Sequence, residues 1–161
     1  MAQDMFIKIA GIDGESKDSA HTNEIDVLNW SWVVSQESTM HTGSGGGAGK
    51  AHVADLEFEH YVDRATPNLF KYCVTGKHIP EAKLTLRKAG GNLLEYLKIT
   101  MTDIVVTMVN PAGSVTDEVK ARERVALSFA KVKTEYTVQN QQGGSGGAIT
   151  AGYDIQKNQE A

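Results

Sequence analysis

The sequence predicts a mainly β protein with a single α-helix, arranged as a compact barrel or a sandwich. Apolar and polar residues alternate over most of the chain, as they do in half-buried strands. Only residues 65–76 carry both a start signal and a stop signal for a helix. The chain has 161 residues with 40% hydrophobic and 22% charged content, which is ordinary for a soluble globular protein. We therefore expect one domain over residues 1–161.

The first third of the chain predicts two strands with different faces. Met5–Ile9 is a short β-rich run that ends before Gly11. Residues 24–34 predict a longer strand, whose apolar face carries Leu28, Trp30, Trp32 and Val34. Its opposite face is small and polar and carries Asn29, Ser31 and Ser35. Because apolar tryptophans at this spacing favour a core position, the polar face must meet water or another wet surface.

A glycine-rich loop and a third strand follow. Residues 36–51 are predicted to be the loop, and residues 52–62 alternate again. The inward side of this strand carries Ala54, Leu56 and Phe58, and the outward side carries Asp55, Glu57 and Glu59. An acidic strand face of this kind is either solvated or in contact with a basic partner.

The one helix is predicted just after this strand. Thr66 is a candidate N-cap, Pro67 suits the first helical position, and Gly76 ends the helix. Its inner stripe carries Leu69, Tyr72 and Cys73. Cys73 is the only cysteine, and its place on this stripe favours a buried structural thiol over a nucleophile.

The second half of the chain is predicted to be β-rich to its end. Strand patterns cover 83–87 and 93–109, with a Gly90–Gly91 turn between them and a polar loop over 110–122. The apolar parity then changes between Phe129 and Val132, which predicts a β-bulge near Ala130. A second glycine patch covers 140–147, and residues 152–156 predict a last short strand.

The stretch TGSGGGAGK at 42–50 resembles a phosphate-binding loop but departs from its pattern. The strict motif needs glycine where Ser44 stands and a hydroxyl where Ala51 stands. The looser dinucleotide form fits residues 43–48, but it needs a helix directly afterwards, and the following residues alternate as a strand. The glycines are therefore predicted to form a loop between strands.

No other motif in the chain predicts catalysis or a cofactor. Gly143–Gly147 matches G-x-S-x-G, yet no helix pattern follows it, as a nucleophile elbow requires. The histidines at 21, 41, 52, 60 and 78 lack metal-ligand spacing, so we expect them on the surface or at strand edges. We predict no catalytic residue, no metal and no cofactor, and hence no enzyme.

Charge and composition narrow the partners and the location. A net charge of −4 argues against nucleic acid or an anionic membrane as the main partner. The N-terminus lacks the basic region and apolar core of a signal peptide, and no apolar run approaches about 18 residues. We expect a cytoplasmic chain whose export, if it occurs, uses no cleaved signal peptide.

Seven stretches in series resemble one known family. They are DMFIKI at 4–9, GESKD at 14–18, EIDVLNWSW at 24–32, GGGAGK at 45–50, TPNL at 66–69, GKH at 76–78 and KLTLRKAGG at 83–91. In order and spacing they resemble Hcp, the hemolysin-coregulated protein family of the bacterial type VI secretion system, from about residue 4 to residue 158. The segments 110–122 and 143–147 are the most divergent.

This resemblance implies a fold and an assembly. The family fold is a two-sheet flattened β-barrel with one α-helix on the side. Six copies form a ring, and rings stack into the inner tube of a contractile machine with a sheath around it and a spike at its tip. The tube is secreted on contraction, and some members bind and protect effectors inside the ring. No membrane insertion is implied.

The resemblance also implies roles for particular residues. Ser31 is the position expected to face the lumen and contact effectors, with Asn29 and Ser35 as further lining candidates. The loop expected to reach the neighbouring ring consists of Met40, His41, Thr42, Gly43, Ser44, Gly45, Gly46, Gly47, Ala48, Gly49 and Lys50. Lys50 is expected to meet an acidic patch, with the Asp55–Glu59 face as the candidate. The alternative function is a monomeric β-barrel that binds a small apolar ligand.

Overall fold

The computed structural model describes residues 3–41, 48–90, 93–142 and 144–161, with no description of the side chains of residues 48–50. These residues form a mainly β structure with one helix, as the alternating pattern predicts. The strands are β1 (Gln3–Ile9), β2 (Ile25–Asp26), β3 (Asn29–Ser31), β4 (Val34–Ser38), β5 (Ala48–Val53), β6 (Leu56–Tyr61), β7 (Ile79–Lys88), β8 (Glu95–Ala112), β9 (Arg122–Gln139), β10 (Ser145–Asp154) and β11 (Gln159–Glu160). The helix α1 spans Thr66–Thr75, between β6 and β7.

The described residues form two sheets, and the larger one has nine strands. Its main path runs β11-β10-β9-β8-β7-β1-β2, and β6 joins it by pairing with β9 and carrying β3 on its other edge. The second sheet is the hairpin of β4 and β5. All the strand pairs are antiparallel in the described residues. The arrangement is consistent with a flattened barrel whose sheets do not close completely.

Strand β9 joins the two sides of this barrel. One of its edges pairs with β8 along most of its length. Its other edge pairs with β6 through residues 122–127 and with β10 through the later residues up to Gln139. The core lies between the folded halves and is filled by branched and aromatic side chains. Those with the largest fully buried side chains include Phe58, Ile7, Leu56, Leu69, Leu84, Met101 and Leu127.

The predicted strand at 24–34 is divided into three short strands, which corrects the sequence prediction. β2 pairs with β1, and β3 pairs with β6. β4 pairs with β5 in the separate two-stranded sheet. Trp30 and Trp32 are partly buried against the core, as predicted. Val34 is 54% exposed because β4 no longer lies over the core. A period-two pattern shows which face of a strand is apolar, but it does not show where the strand changes neighbours.

The helix lies where the sequence predicts it, but its N-cap is different. The N-cap position is Ala65, without a side-chain cap hydrogen bond. Thr66 Oγ1 instead accepts the N–H of Asp63 at 3.2 Å and lies 3.3 Å from Glu123 Oε1. Leu69 is buried, and Tyr72 and Cys73 pack partly buried against the core. Thus the predicted inner stripe is confirmed, and the predicted Thr66 cap is wrong because its hydroxyl has other partners.

The parity change in β9 is present, but a register shift does not cause it. Phe129 and Val132 are both buried, as predicted. The β8–β9 register is the same on both sides of Ala130, and the shift lies in β8 between Val106 and Met108. β9 changes neighbours from β6 to β10 at this point, so its buried face changes too. The strand predicted at 152–156 is only partly present: Gly152–Asp154 end β10, which begins at Ser145 inside the second glycine patch, and the last strand is β11.

Candidate functional site

The polar face predicted from the sequence lies where β3, β6 and β9 run side by side. Asn29 of β3 is opposite Glu59 of β6, and Glu59 is opposite Arg124 of β9. Residues in register across a sheet project from the same face, so these strands present one continuous polar surface. We call it the polar ladder, and its members are Asn29, Ser31, Glu57, Glu59, Arg122 and Arg124.

Arg124 is the centre of the polar ladder. Its Nε donates to Glu57 Oε1 at 2.8 Å, its Nη1 donates to Asn29 Oδ1 at 2.9 Å, and its Nη2 donates to Ser31 Oγ at 3.0 Å. A guanidinium is planar and its donors have fixed directions, so these contacts hold three side chains from two strands in one arrangement. Ser31 therefore presents a hydroxyl whose position is set by β9.

The carboxylates of β6 also find their partners within the chain. Glu59 accepts a hydrogen bond from Asn29 Nδ2 at 3.0 Å and lies 3.5 Å from Arg122 Nη1. Asp55 accepts a hydrogen bond from Thr107 Oγ1 at 2.6 Å. The basic partner that the acidic strand face suggested is therefore largely β9 itself. This weakens the basis for a contact between Lys50 and the Asp55–Glu59 face.

The chemistry of the polar ladder suits contact more than catalysis. Its two carboxylates and two guanidinium groups balance in charge and are already hydrogen-bonded or ion-paired. The exposed members still offer hydroxyl, amide and guanidinium groups at the surface. Among the described residues, no three side chains of His, Cys, Asp or Glu come together as metal ligands would.

Ser35 lies apart from the polar ladder. It belongs to β4 and is opposite His52 of β5 in the two-stranded sheet. The expectation that it shares a strand face with Asn29 and Ser31 is wrong, because β3 ends at Ser31 and β4 begins at Val34. Its expected role in the lumen remains a prediction.

Only part of the predicted ring-contacting loop is described. Met40 and His41 are exposed, and residues 42–47 lie outside the described residues. Ala48, Gly49 and Lys50 form the start of β5, with Ala48 opposite Ser38. A strand rather than a helix therefore follows the glycine run, so the phosphate-loop interpretation has no helix to support it. The predicted bounds are wrong, because β5 begins at Ala48 inside the predicted loop and the predicted strand at 52–62 is divided between β5 and β6. Ser145 likewise begins a strand, so the G-x-S-x-G match is not a nucleophile elbow.

A buried ionisable cluster lies behind the polar ladder, and the sequence analysis missed it. His60 and Glu123 are fully buried, and His60 Nε2 lies 2.9 Å from Glu123 Oε1. His60 Nδ1 lies 3.7 Å from Asp63 Oδ2, which is too long for a hydrogen bond but close enough for electrostatic attraction. Burial opposes the charge of the imidazolium, but Asp63 and Glu123 outweigh it and raise the pKa of His60 to about 9.

This cluster corrects the prediction that all five histidines lie at the surface or at edges. His60 follows Leu56 and Phe58 on the inward-facing side of β6, so the alternation of this strand predicts that His60 is buried. His21 is also buried, stacked on Phe6 at 4.4 Å, with Nδ1 at 2.9 Å from Glu24. The other three histidines, His41, His52 and His78, are exposed as expected.

The described part of the chain shows no membrane-crossing helix. Its helix has ten residues, which is shorter than a bilayer crossing requires.

Comparison with known proteins gives a consistent result. The family model described as "Type VI secretion system effector, Hcp" matches residues 6–136. Protein hcp1 of Pseudomonas aeruginosa is 50% identical, over the full length of both chains. The crystal structure of Hcp1 from Salmonella typhimurium is 58% identical with a TM-score of 0.85, again over 100% of both chains. A type VI secretion system effector from Yersinia pestis is 45% identical with a TM-score of 0.78, covering 94% of this chain and 100% of the other.

Proposed function

The chain belongs to the Hcp family of the type VI secretion system, and from this membership we propose that it is a structural subunit of the secretion tube. In this proposal six copies form a ring, and rings stack into the inner tube that is ejected when the machine contracts. The observation that carries the proposal is the full-length similarity to Hcp proteins, at 50% identity in sequence and a TM-score of 0.85 in structure.

The β4–β5 hairpin supports assembly with other copies. All five residues of β4 are exposed, and the hairpin is a separate two-stranded sheet. An isolated two-stranded hairpin is marginally stable in water, so a neighbouring copy would stabilise it. We propose that this hairpin, together with the loop from Met40 to Lys50 at its tip, contacts the adjacent ring.

We propose that the polar ladder faces the lumen of the ring. Ser31 and Asn29 are held there by Arg124, and the charges of the ladder are paired. A surface that is polar and neutral in balance offers hydrogen bonds without a strong electrostatic trap, so an effector can be held and later released. Ser31 is the proposed effector-contacting residue, with Asn29 beside it. Ser35 is proposed as a lining residue on the separate hairpin.

The remaining parts of the proposal concern location and partners. Family membership implies secretion through the type VI system, and we propose that the chain is cytoplasmic before firing and leaves without a cleaved signal peptide. The proposed partners are further copies of the chain, the spike, the sheath and secreted effectors. We assign the chain no catalytic role, and the proposal includes no cofactor, nucleic acid or membrane insertion.

The alternative of a monomeric barrel with an apolar ligand has little support in the described residues. Such a barrel needs an empty apolar interior, and here Phe58, Leu56 and Leu127 fill it with no exposed surface. The depressions found on the described surface are lined mainly by charged and polar side chains. The tube subunit is therefore the better-supported function.

Size-exclusion chromatography with light scattering tests the ring. Six copies of a 17.4 kDa chain give a mass of about 104 kDa. Finding that mass supports the ring, and a single species of 17.4 kDa at all concentrations contradicts a preformed ring. Sedimentation of Lys50→Glu against Lys17→Glu then tests stacking. Loss of stacked rings only in Lys50→Glu supports the loop contact, and equal stacking of both variants contradicts the role of Lys50.

A further inference from the structure

The hydrogen bonds of Asn29 and Ser31 determine which groups these two side chains still present at the polar ladder. Both residues are exposed, and both lie on the same face of β3, because they are two positions apart in a strand. Arg124 contacts both of them, and a guanidinium donates hydrogen bonds but accepts none. Arg124 therefore decides which of their atoms remain available to a ligand.

Ser31 is left with a donor. Its Oγ accepts a hydrogen bond from Arg124 Nη2 at 3.0 Å, so the hydrogen of the hydroxyl must point in another direction. Among the described residues, Ser31 Oγ has no other hydrogen-bond partner. Because β3 exposes this side chain, the hydroxyl hydrogen is available at the surface of the polar ladder.

Asn29 is left with a donor as well. Its Oδ1 accepts from Arg124 Nη1 at 2.9 Å, and its Nδ2 donates one of two hydrogens to Glu59 Oε1 at 3.0 Å. A donor on one side and an acceptor on the other fix the orientation of the amide, because a flipped amide would place like groups together. The second hydrogen of Nδ2 has no partner in the part of the chain that the structure describes.

The two donors have the spacing of backbone carbonyl groups. A strand rises about 3.3 Å per residue, so the side chains of Asn29 and Ser31 are about 7 Å apart along β3. In an extended peptide the carbonyl oxygens on one side of the chain repeat every two residues, and hence at the same distance. An extended segment laid along β3 can therefore place one carbonyl oxygen at each donor.

The charges beside β3 favour a neutral acceptor over an anion. Glu57 and Glu59 of β6 lie next to the two donors and repel a carboxylate or a phosphate. Arg124 and Arg122 balance these two charges, at 2.8 Å from Glu57 and 3.5 Å from Glu59, so the polar ladder has no excess charge that attracts an ion. The carbonyl group of a peptide is a strong acceptor without a net charge.

We propose that the polar ladder binds an extended peptide segment of an effector through the backbone carbonyl oxygens of that segment. Ser31 and Asn29 are the donors, and Arg124 is the positioning residue. This inference rests on the lumen role proposed above, and it adds the chemical group that the ladder recognises. Contacts to the backbone do not depend on the side chains of the segment, so effectors of different sequence can use the same site.

A peptide with weakened carbonyl acceptors tests the proposal. The probe is a labelled, end-blocked, uncharged peptide of ten alternating threonine and alanine residues. In the comparator, sulfur replaces the backbone carbonyl oxygens of the six central residues, which weakens them as acceptors and strengthens the N–H groups as donors. Fluorescence anisotropy measures binding to the full-length protein. We expect the oxygen peptide to bind at least fivefold more tightly than the sulfur peptide, with little dependence on salt.

Single substitutions locate the contact. Ser31→Ala removes one donor, so it should weaken binding of the oxygen peptide about threefold to tenfold and reduce the difference between the two peptides. Arg124→Lys keeps the charge but loses the planar fork, so Ser31→Ala should have a smaller effect in the Arg124→Lys background than in the wild type. Ser19→Ala removes an exposed hydroxyl outside the polar ladder and should bind as the wild type does.

The mass of each protein separates a failure of this inference from a failure of the ring. Circular dichroism checks the fold, and light scattering gives the mass. A protein of ring mass that binds neither peptide overturns the inference alone. A monomer contradicts the ring alone, because the polar ladder lies within one chain and the peptide comparison still applies to it.

Four further results would overturn the inference. They are equal binding of both peptides, tighter binding of the sulfur peptide, equal weakening by Ser19→Ala and Ser31→Ala, and tighter binding of the uncharged oligosaccharide maltohexaose than of the oxygen peptide. If Arg124→Lys does not fold, the peptide pair and Ser31→Ala decide the outcome.

Discussion

The buried His60 cluster makes the stability of the protein depend on pH in the alkaline range. The pKa of His60 is raised to about 9 from an ordinary value of 6.5, against the effect of burial, by the carboxylates of Asp63 and Glu123. Between these values the folded chain holds a proton that the unfolded chain has lost. The stabilisation is therefore complete below pH 6.5 and disappears as the pH rises through about 9. Each pH unit in this window removes about 1.4 kcal/mol, so the whole window removes about 3 kcal/mol.

Urea unfolding at fixed chain concentration, at pH values from 6 to 10, measures this effect. We expect the free energy of unfolding of the wild type to fall by about 3 kcal/mol from pH 6.5 to pH 9.5. In His60→Gln the proton is absent from both states, so the slope in this window should flatten. Other groups titrate in both proteins, and the difference between the two curves isolates His60. A wild-type curve that is flat between pH 7 and 9.5, or an equal slope in His60→Gln, would refute the reasoning.

Three further substitutions test the fold by its thermal or urea unfolding. Gly14→Ala should lower the free energy of unfolding by about 2 kcal/mol, because a Cβ at Gly14 would lie 2.6 Å from the carbonyl oxygen of Glu24 and 2.7 Å from Ile25 Cα. An unchanged free energy of unfolding would mean that this loop can shift to admit the methyl group. Arg87→Leu should lower the free energy of unfolding by about 2 kcal/mol, because the guanidinium, which is 6% exposed, binds Asp18 at 2.6 Å and its loss leaves that carboxylate without its ion pair. An NMR titration of this variant should show the pKa of Asp18 rising from about 2. The absence of a rise would contradict the pairing. Gly76→Ala should lower the free energy of unfolding by about 1 kcal/mol, because the helix ends at Gly76 with a φ of +64°, which alanine adopts only with strain. An unchanged free energy of unfolding would contradict strain at that position.

The sequence predicted the strands well where each strand keeps the same neighbours. Residues 83–87 alternate and lie within β7, and the β-rich run Met5–Ile9 lies within β1; both strands contribute buried residues to the core. The face of Leu28, Trp30 and Trp32 predicts one strand over 24–34, but the apolar parity changes between Val27 and Leu28, and the parts of the segment pair with three different strands. Pairing is a contact between distant residues, so local periodicity carries no information about it. For the same reason, local periodicity does not predict that β9 changes its pairing partner from β6 to β10.

The candidate site was predicted in its location but not in its contacts. The polar face of Asn29 and Ser31 was visible from the spacing of Trp30 and Trp32. Arg124 was not singled out, because its approach to Ser31 depends on β6 lying between their strands. The parity of β6 predicts an inward position for His60, whereas the residue type alone does not, because histidines are intermediate in burial.

The shared edge of β9 has a consequence for the order of folding. β6 (Leu56–Tyr61) has its partners in β3 and in residues 122–127, and the second of these is synthesised more than sixty residues later. Helix α1 and the β7–β8 hairpin can form from neighbouring residues as soon as these leave the ribosome. The first third of the chain must instead wait, with Phe58 and Leu56 uncovered, until β9 arrives. We expect closure of the barrel to be a late, cooperative step that the synthesis of β9 controls.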